Sequence, residues 1–379
     1  MSKPLDKILI VDFSQFLSGP SATLRLADFG AEIIKIEKPL TGDISRQLYV
    51  SNVVIEGQSS LFHAINRNKK SFTADLKNER DMQQIKKIIA AADIMVHNYR
   101  PGVVERLGLD YQSVKRINNK IIYADISGYG NEGVWKEEPG QDLLVQAVSG
   151  LAWLTDADTT GPVPMGVSVT DILAGTYLTQ GILAALYQRT ITGEGSSIQV
   201  NMLECSLDFQ FEVFTTFLND GNQLPQRSAI NPAHAYVAAP YGIYATSDGY
   251  IALAMGKIPF IGELINCKAL LHYQQTEWFT KRDEIKKVLG AHLITNTTAY
   301  WLSKLEPADI WCAGVLNYEQ LREQEAYKIL DMEQEVVTLN GTMVTTTRCP
   351  IKVNEEVFKN NTAAPMLGQH NTEIQKRFN

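Results

Sequence analysis

Asp171 is the residue with the clearest chemical potential. In the stretch GVSVTDILAGTYLTQGILAALYQRT, Gly166 to Thr190, it is the only acid, and no base occurs before Arg189. Its left flank, Val167 to Thr170, is a β-branched run, and its right flank reads as a long apolar helix. An aspartate at such a junction has two uses. It can satisfy orphan N–H groups and suit the helix dipole. It can also be presented, ionised, to a ligand at a donor-rich helix start. The stretch alone leaves both open.

Other sequence patterns that could carry chemistry are weak. GYGNEG, Gly128 to Gly133, matches GxGxxG, but VWKEEPGQD follows it and Pro139 forbids an immediate helix. A dinucleotide fingerprint needs that helix, so a glycine-rich turn is the better reading, and it counts against a dehydrogenase. There is no GxxxxGK[ST], HExxH or GxSxG. The six histidines have no metal spacing; His63 and His97 are isolated and read as structural. Cys205, Cys267, Cys312 and Cys349 are far apart and suggest neither a zinc ribbon nor a disulfide framework. A reducing cytoplasm is expected.

The elements that must position Asp171 read as alternating strands and helices. KILIVDFS, AEIIKIEK, DIMVHNY and KIIYADISGYG are strands; PSATLRLADFG, NERDMQQIKKIIAAA, VVERLGL and YQSVKRI are helices. This alternation implies a mostly parallel sheet in an α/β domain of nucleotide-binding type. From Cys205 to Asn219 one long helix is expected, rich in phenylalanine. The polar stretch NDGNQLPQRSAINPAHA reads as a linker, and PYGIYATSDGYIALAM as a hairpin turning at SDG. A length of 379 residues suggests roughly two to three domains. A net charge of −7 argues against a nucleic-acid partner. No stretch reads as a signal peptide or a membrane span; the most apolar one, Leu178 to Leu186, is interrupted by Thr179, Gln180 and Gly181.

Several motifs occur in one order: the SGP turn, LADFGAEIIKIE and the GD after it, NRNKKSFTADLK, VHNYRPGVVERLGLDY, PGQDLLVQAVSGL, TDILAG, GEGSSIQVNMLE and LGQHNTEI. Together they resemble the class III (CaiB/BaiF) coenzyme A transferases along nearly the whole chain. The resemblance implies an α/β fold: a Rossmann-like large domain (1–205 and 331–379), a linker (206–228), a smaller α+β domain (229–320) and a return linker (321–330). It also implies an interlocked-ring homodimer, with the phenylalanine-rich segment buried against the second chain. No permanently bound cofactor is implied; coenzyme A enters as acyl-CoA substrate.

By the same resemblance Asp171 is the nucleophile that attacks the thioester. CoA would be held by Leu17, Ser18, Lys38, Leu76, Lys77, Asn98, Tyr99, Arg100, Arg106 and Gln141, the basic groups suiting its phosphates. Gln15, Asp142, Gly256 and Lys257 would support the site or touch substrate; Arg227, His234 and Lys257 are candidates to hold a second carboxylate. The sequence departs from the family at Gln141. The racemase branch uses a histidine there as a base, and glutamine cannot take a proton at neutral pH. AMGKIPF has one glycine, Gly256, where the formyl-CoA:oxalate branch has a glycine-rich flap. That puts oxalate in doubt as the acceptor. A CoA-binding protein without turnover is the rival from outside catalysis.

Overall fold

The first strand, β1 (Leu9–Asp12), is buried on both faces, because its alternate residues serve two different cores. Around it lie β2 (Glu32–Glu37), β3 (Lys69–Thr73), β4 (Ile94–His97), β5 (Ile122–Ser127) and β6 (Ser196–Asn201), in the spatial order β3-β2-β1-β4-β5-β6. Every pairing in this sheet is parallel. The structure is a computed structural model of the chain and describes residues 3–48, 52–359 and 361–379.

Ile10, Ile33, Val96 and Ala124 face one core, which is covered by α1 (Ser18–Asp28) and α2 (Val169–Thr192). Leu9, Val11, Ile34 and Met95 face the other, covered in part by helix Glu79–Ala91 through Ile85, Ile88 and Ile89. That i, i+3, i+4 spacing is one stripe of a helix, and Asn78 caps its start by accepting from Arg80 and Asp81 N–H. Gly30, at φ +107°, lets the chain turn from α1 into β2 where a side chain would be strained.

The four strands expected from sequence are present. β3 and β6, the two sheet edges, are additional: KKSFT and SSIQVN are too polar to stand out. The β-branched run before Asp171 is not a strand; Val169 and Thr170 already form the first turn of α2. The expected single helix from Cys205 to Asn219 is two, Met202–Phe209 and Phe211–Asn219. The break falls at Gln210, whose buried amide donates to the Ser149 carbonyl. Gly128 to Gly133 is a turn, packed so that a Cβ on Gly128 would overlap the Gly140 backbone. α2 is long and apolar enough, by length and composition, to cross a membrane, against the expectation that Thr179, Gln180 and Gly181 rule such a stretch out. Ala174, Leu178 and Ile182 nonetheless bury its inner face in the core.

Two compact units emerge: residues 1–145, 168–209 and 329–379, and residues 146–167 and 210–328. The segment 146–167, expected with the large domain, groups with the second unit. That unit holds a three-stranded antiparallel sheet (Gly242–Ala245, Tyr250–Leu253, Cys312–Gly314) around Tyr244, Ile251, Leu289 and Trp301. The hairpin at SDG is there, and the third strand joins it from far along the chain. In the first unit the C-terminal segment returns to β3. His370 and Asn371 accept from the N–H groups of Ser71 and Thr73, closing the sheet edge.

Candidate active site

The sheet order reverses at β1. From β1 the chain moves outward through β2 and β3, then resumes on the other side with β4, β5 and β6. Between the carboxyl ends of β1 and β4 the loops diverge, and such a crevice is where doubly wound sheets take ligands. Two loops meet here. The N–H of Gln15, after β1, donates to Asn98 Oδ1 (2.8 Å), and Asn98 Nδ2, after β4, donates back to the Gln15 carbonyl (2.7 Å).

Beside this pair opens a cavity of ≈ 860 Å³. Of the residues singled out from sequence, Gln15, Lys38, Leu76, Lys77, Tyr99 and Arg106 line it; Glu37 and Asp75 join them. Lys38, Lys77 and Arg106 lie at the surface, a cationic set on an acidic protein. Leu17, Ser18 and Asn98 do not line the cavity. Leu17 is the residue before α1, and Asn98 Nδ2 also lies 3.4 Å from Ser18 Oγ. Arg100 and Gln141 are exposed and outside the lining.

Ser18 leads to Asp171. Its hydroxyl, at the start of α1, favours the charged form of the half-buried Asp171 carboxylate in the first turn of α2. The two helices can approach because residue 175 is glycine: a Cβ there would lie 2.7 Å from the Ser18 carbonyl. The cap of α2 is a different residue. Asp142 Oδ1 accepts from both the N–H and the hydroxyl of Thr170, each at 2.8 Å, while the N-cap side chain, Ser168, makes no cap bond. Asp171 is therefore a first-turn residue with the capping done for it. Burial, and then the charge of Asp142, push its pKa up to about 7; Ser18 pulls the other way.

Glu37, in the cavity lining, belongs to a network of buried charge to which the motifs assign no role. Asp12, fully buried, pairs with Lys69 (3.3 Å) and accepts from Ser14 and Thr23. Lys35, also fully buried, pairs with Asp43 (2.7 Å). Glu37 takes Arg46 on both oxygens, plus the Ser71 hydroxyl and the Asp43 N–H. Burial brings Lys69 down to about 8 against the pull of Asp12. The carboxylates of Asp43, Asp12 and Glu37 outweigh burial at Lys35, whose pKa is raised. Asn66, Lys69, Ser71 and Asp43 all belong to the quoted motifs; most of their partners are distant in sequence, so no spacing rule could assign them.

The remaining candidates belong to the second unit. Arg227 is 4% exposed; it donates to the carbonyls of Thr155 and Gly161 and stacks over Trp153. It is an internal tie, which argues against its holding a substrate carboxylate. His234 lies 3.5 Å from Glu212. Lys257 lies at the surface, ahead of helix Ile258–Leu264. Gly256 is tightly backed: a Cβ would meet Ile261 at 2.9 Å.

Known proteins carry the same organisation. The chain is 32% identical to the succinyl-CoA:glutarate CoA-transferase of Mus musculus, over 99% of this chain and 86% of that one. It is 29% identical to the acetyl-CoA:oxalate CoA-transferase of Acetobacter aceti, over 99% and 96%. The crystal structure of a CaiB/BaiF family protein from Brucella suis superposes along the full length of both chains, with a TM-score of 0.86 at 26% identity. The family model of CoA-transferase family III matches residues 5–371. A parallel sheet with its crevice at the strand-order reversal, and a match over nearly the whole chain, make this protein a member of CoA-transferase family III.

Proposed function

We propose that this CoA-transferase works through Asp171 as nucleophile, with the cavity at the ends of β1 to β4 holding the CoA moiety. The observation that carries the reading is the hydrogen-bonded path Gln15–Asn98–Ser18, which runs from the cavity wall to the start of α1, where the Ser18 hydroxyl favours the charge of the half-buried Asp171 carboxylate. An Asp171 oxygen attacks the acyl-CoA carbonyl; the C–S bond breaks, giving a mixed anhydride and CoA thiolate. The thiolate attacks the Asp171 acyl carbon and expels the donor acid, leaving an aspartyl-CoA thioester. The acceptor carboxylate repeats the sequence in reverse: a second anhydride forms, the thiolate returns to the acceptor acyl carbon, and Asp171 is regenerated. The acyl activation is conserved throughout, so no nucleotide is consumed. Lys38, Lys77 and Arg106 suit the phosphates and the adenosine end of CoA; Leu76 and Tyr99 offer apolar surface.

The acceptor class that fits best is a small dicarboxylic acid, on the strength of the relatives' names. The protein would act as a homodimer in the cytoplasm; the exposed phenylalanines of helix Phe211–Asn219 support the dimer. Incubation with succinyl-CoA or acetyl-CoA, without acceptor, tests the route. The Asp171 peptide should carry a CoA adduct by mass spectrometry, and Asp171→Ala should carry none. CoA binding without an adduct would instead favour a protein that binds CoA and does not turn it over.

A further inference from the structure

The loop between β1 and α1 contains a backbone outlier. Phe16 sits at φ +63°, in the left-handed region that bulky residues avoid. Its ring is 42% exposed, so core packing does not hold it there. Side chains from other strand ends hold the peptide groups around it instead. Lys35 Nζ, from β2, donates to the Ser14 carbonyl at 2.8 Å. Asn98, after β4, takes both the N–H and the carbonyl of Gln15, at 2.8 and 2.7 Å. Asp43 Oδ1 accepts from the Phe16 N–H at 3.2 Å and from the Ser45 N–H at 2.8 Å. Its second oxygen is paired with Lys35, and its own N–H is held by Glu37. Strained residues persist only where their surroundings over-determine them, and they concentrate at working sites. Two residues beyond Phe16 is Ser18, whose carbonyl packs against α2 at Gly175, one turn from Asp171, and whose hydroxyl favours the charge of Asp171.

We infer that the left-handed turn at Phe16, clamped by Lys35, Asp43 and Asn98, is a positioning device that sets Ser18 against Asp171. Asp43 and Lys35 are thus positioning residues, Asp43 through the Phe16 N–H and Lys35 through the Ser14 carbonyl. The phenyl ring itself is dispensable; the backbone conformation is what matters. This rests on Asp171 being the nucleophile.

The test is a backbone series in the full-length enzyme. Phe16→Gly keeps the left-handed conformation without strain. Phe16→Val imposes a β-branched side chain on it. Asp43→Ala removes the acceptor for the Phe16 N–H, and Asp43→Asn retains one. The readouts are single-turnover formation of the aspartyl-CoA adduct from succinyl-CoA or acetyl-CoA, and the acid limb of the pH profile. Phe16→Gly should form adduct at a rate close to the parent's. Phe16→Val and Asp43→Ala should slow it by on the order of ten-fold. In both the acid limb should move to higher pH, because the Ser18 hydroxyl that favours the charge of Asp171 is displaced. Asp43→Asn should recover most of the rate. A loss of stability alone would leave the limb in place. If Gly and Val variants behave alike, the turn has no positioning role. Should Phe16→Val fail to fold, the Asp43 pair decides: Asn no better than Ala overturns the proposal. No adduct in the parent with either donor would sink the nucleophile itself, and the turn's role with it.

Discussion

Asp171 must be ionised to attack, and its surroundings resist that. Burial opposes the charge, Asp142 repels it, and only the Ser18 hydroxyl offsets them, so the group titrates near 7 instead of its ordinary 3.8. kcat/KM should therefore rise with pH through about 7 and level off above it. Asp142→Asn keeps an oxygen for Thr170 and removes the repulsion; its acid limb should lie at lower pH. A parent limb near 4 would mean the carboxylate is not held as described. The same shift has a stability cost. The folded pKa lies above the unfolded one, so the contribution to stability is present below about 4 and is lost as pH rises through about 7. Asp171→Asn should accordingly melt higher than the parent at pH 8 and show no such advantage at pH 4. Its transfer rate should fall by on the order of 10⁴-fold. Equal melting differences at both pH values would contradict the linkage.

At the scale of elements, the site depends on close approach and on fixed strand ends. α1 and α2 meet at Gly175, where an added methyl would press on the Ser18 carbonyl. Gly175→Ala should cost about 1–3 kcal/mol in denaturant unfolding and slow transfer as Ser18 moves. Strand β3 is fixed from outside by Asn371, which bonds both the N–H and the hydroxyl of Thr73. Asn371→Ala should cost about 1–2 kcal/mol. It should also raise KM for acyl-CoA several-fold with little change in kcat, since Leu76 and Lys77 follow this strand into the cavity wall; an unchanged KM would detach the edge from binding. These elements also mark what could be read from sequence. β1, β2, β4 and β5 carry apolar residues on both faces, which show as runs in the sequence. KKSFT does not, because Lys69 is stabilised inside by Asp12, 57 positions away. Asp171 was legible as lone chemistry and as a motif position, but not its state: the two groups that set its charge, Ser18 and Asp142, come from two other segments. The helix break at Gln210 depends on Ser149, which no local pattern encodes.

The whole molecule carries −7 yet gathers Lys38, Lys77 and Arg106 at one cavity. Surface cations of this kind are screened by salt, so KM for acyl-CoA should climb with ionic strength while kcat stays level. The chain also leaves apolar surface uncovered on both units. On helix Phe211–Asn219, Phe211 is 67% exposed, and Phe214 and Leu218 follow at i+3 and i+7, on one face. On α2, Tyr187 and Ile191 are exposed at i and i+4. Large exposed apolar surfaces on a single chain mark interaction sites. Aromatic residues are what interface centres favour. A second copy, interlocked with the first, would cover them. Sedimentation should then give about twice the 42.2 kDa chain mass, and the species should persist on dilution to nanomolar concentration, because interlocked chains cannot part without unfolding. Phe211→Asp combined with Phe214→Asp should weaken the dimer and yield single-chain or aggregated protein, since the charges would replace the apolar surface that the second copy covers. A parent enzyme that sediments at the single-chain mass with full activity would leave these faces without a partner, and the interlocked reading would fall.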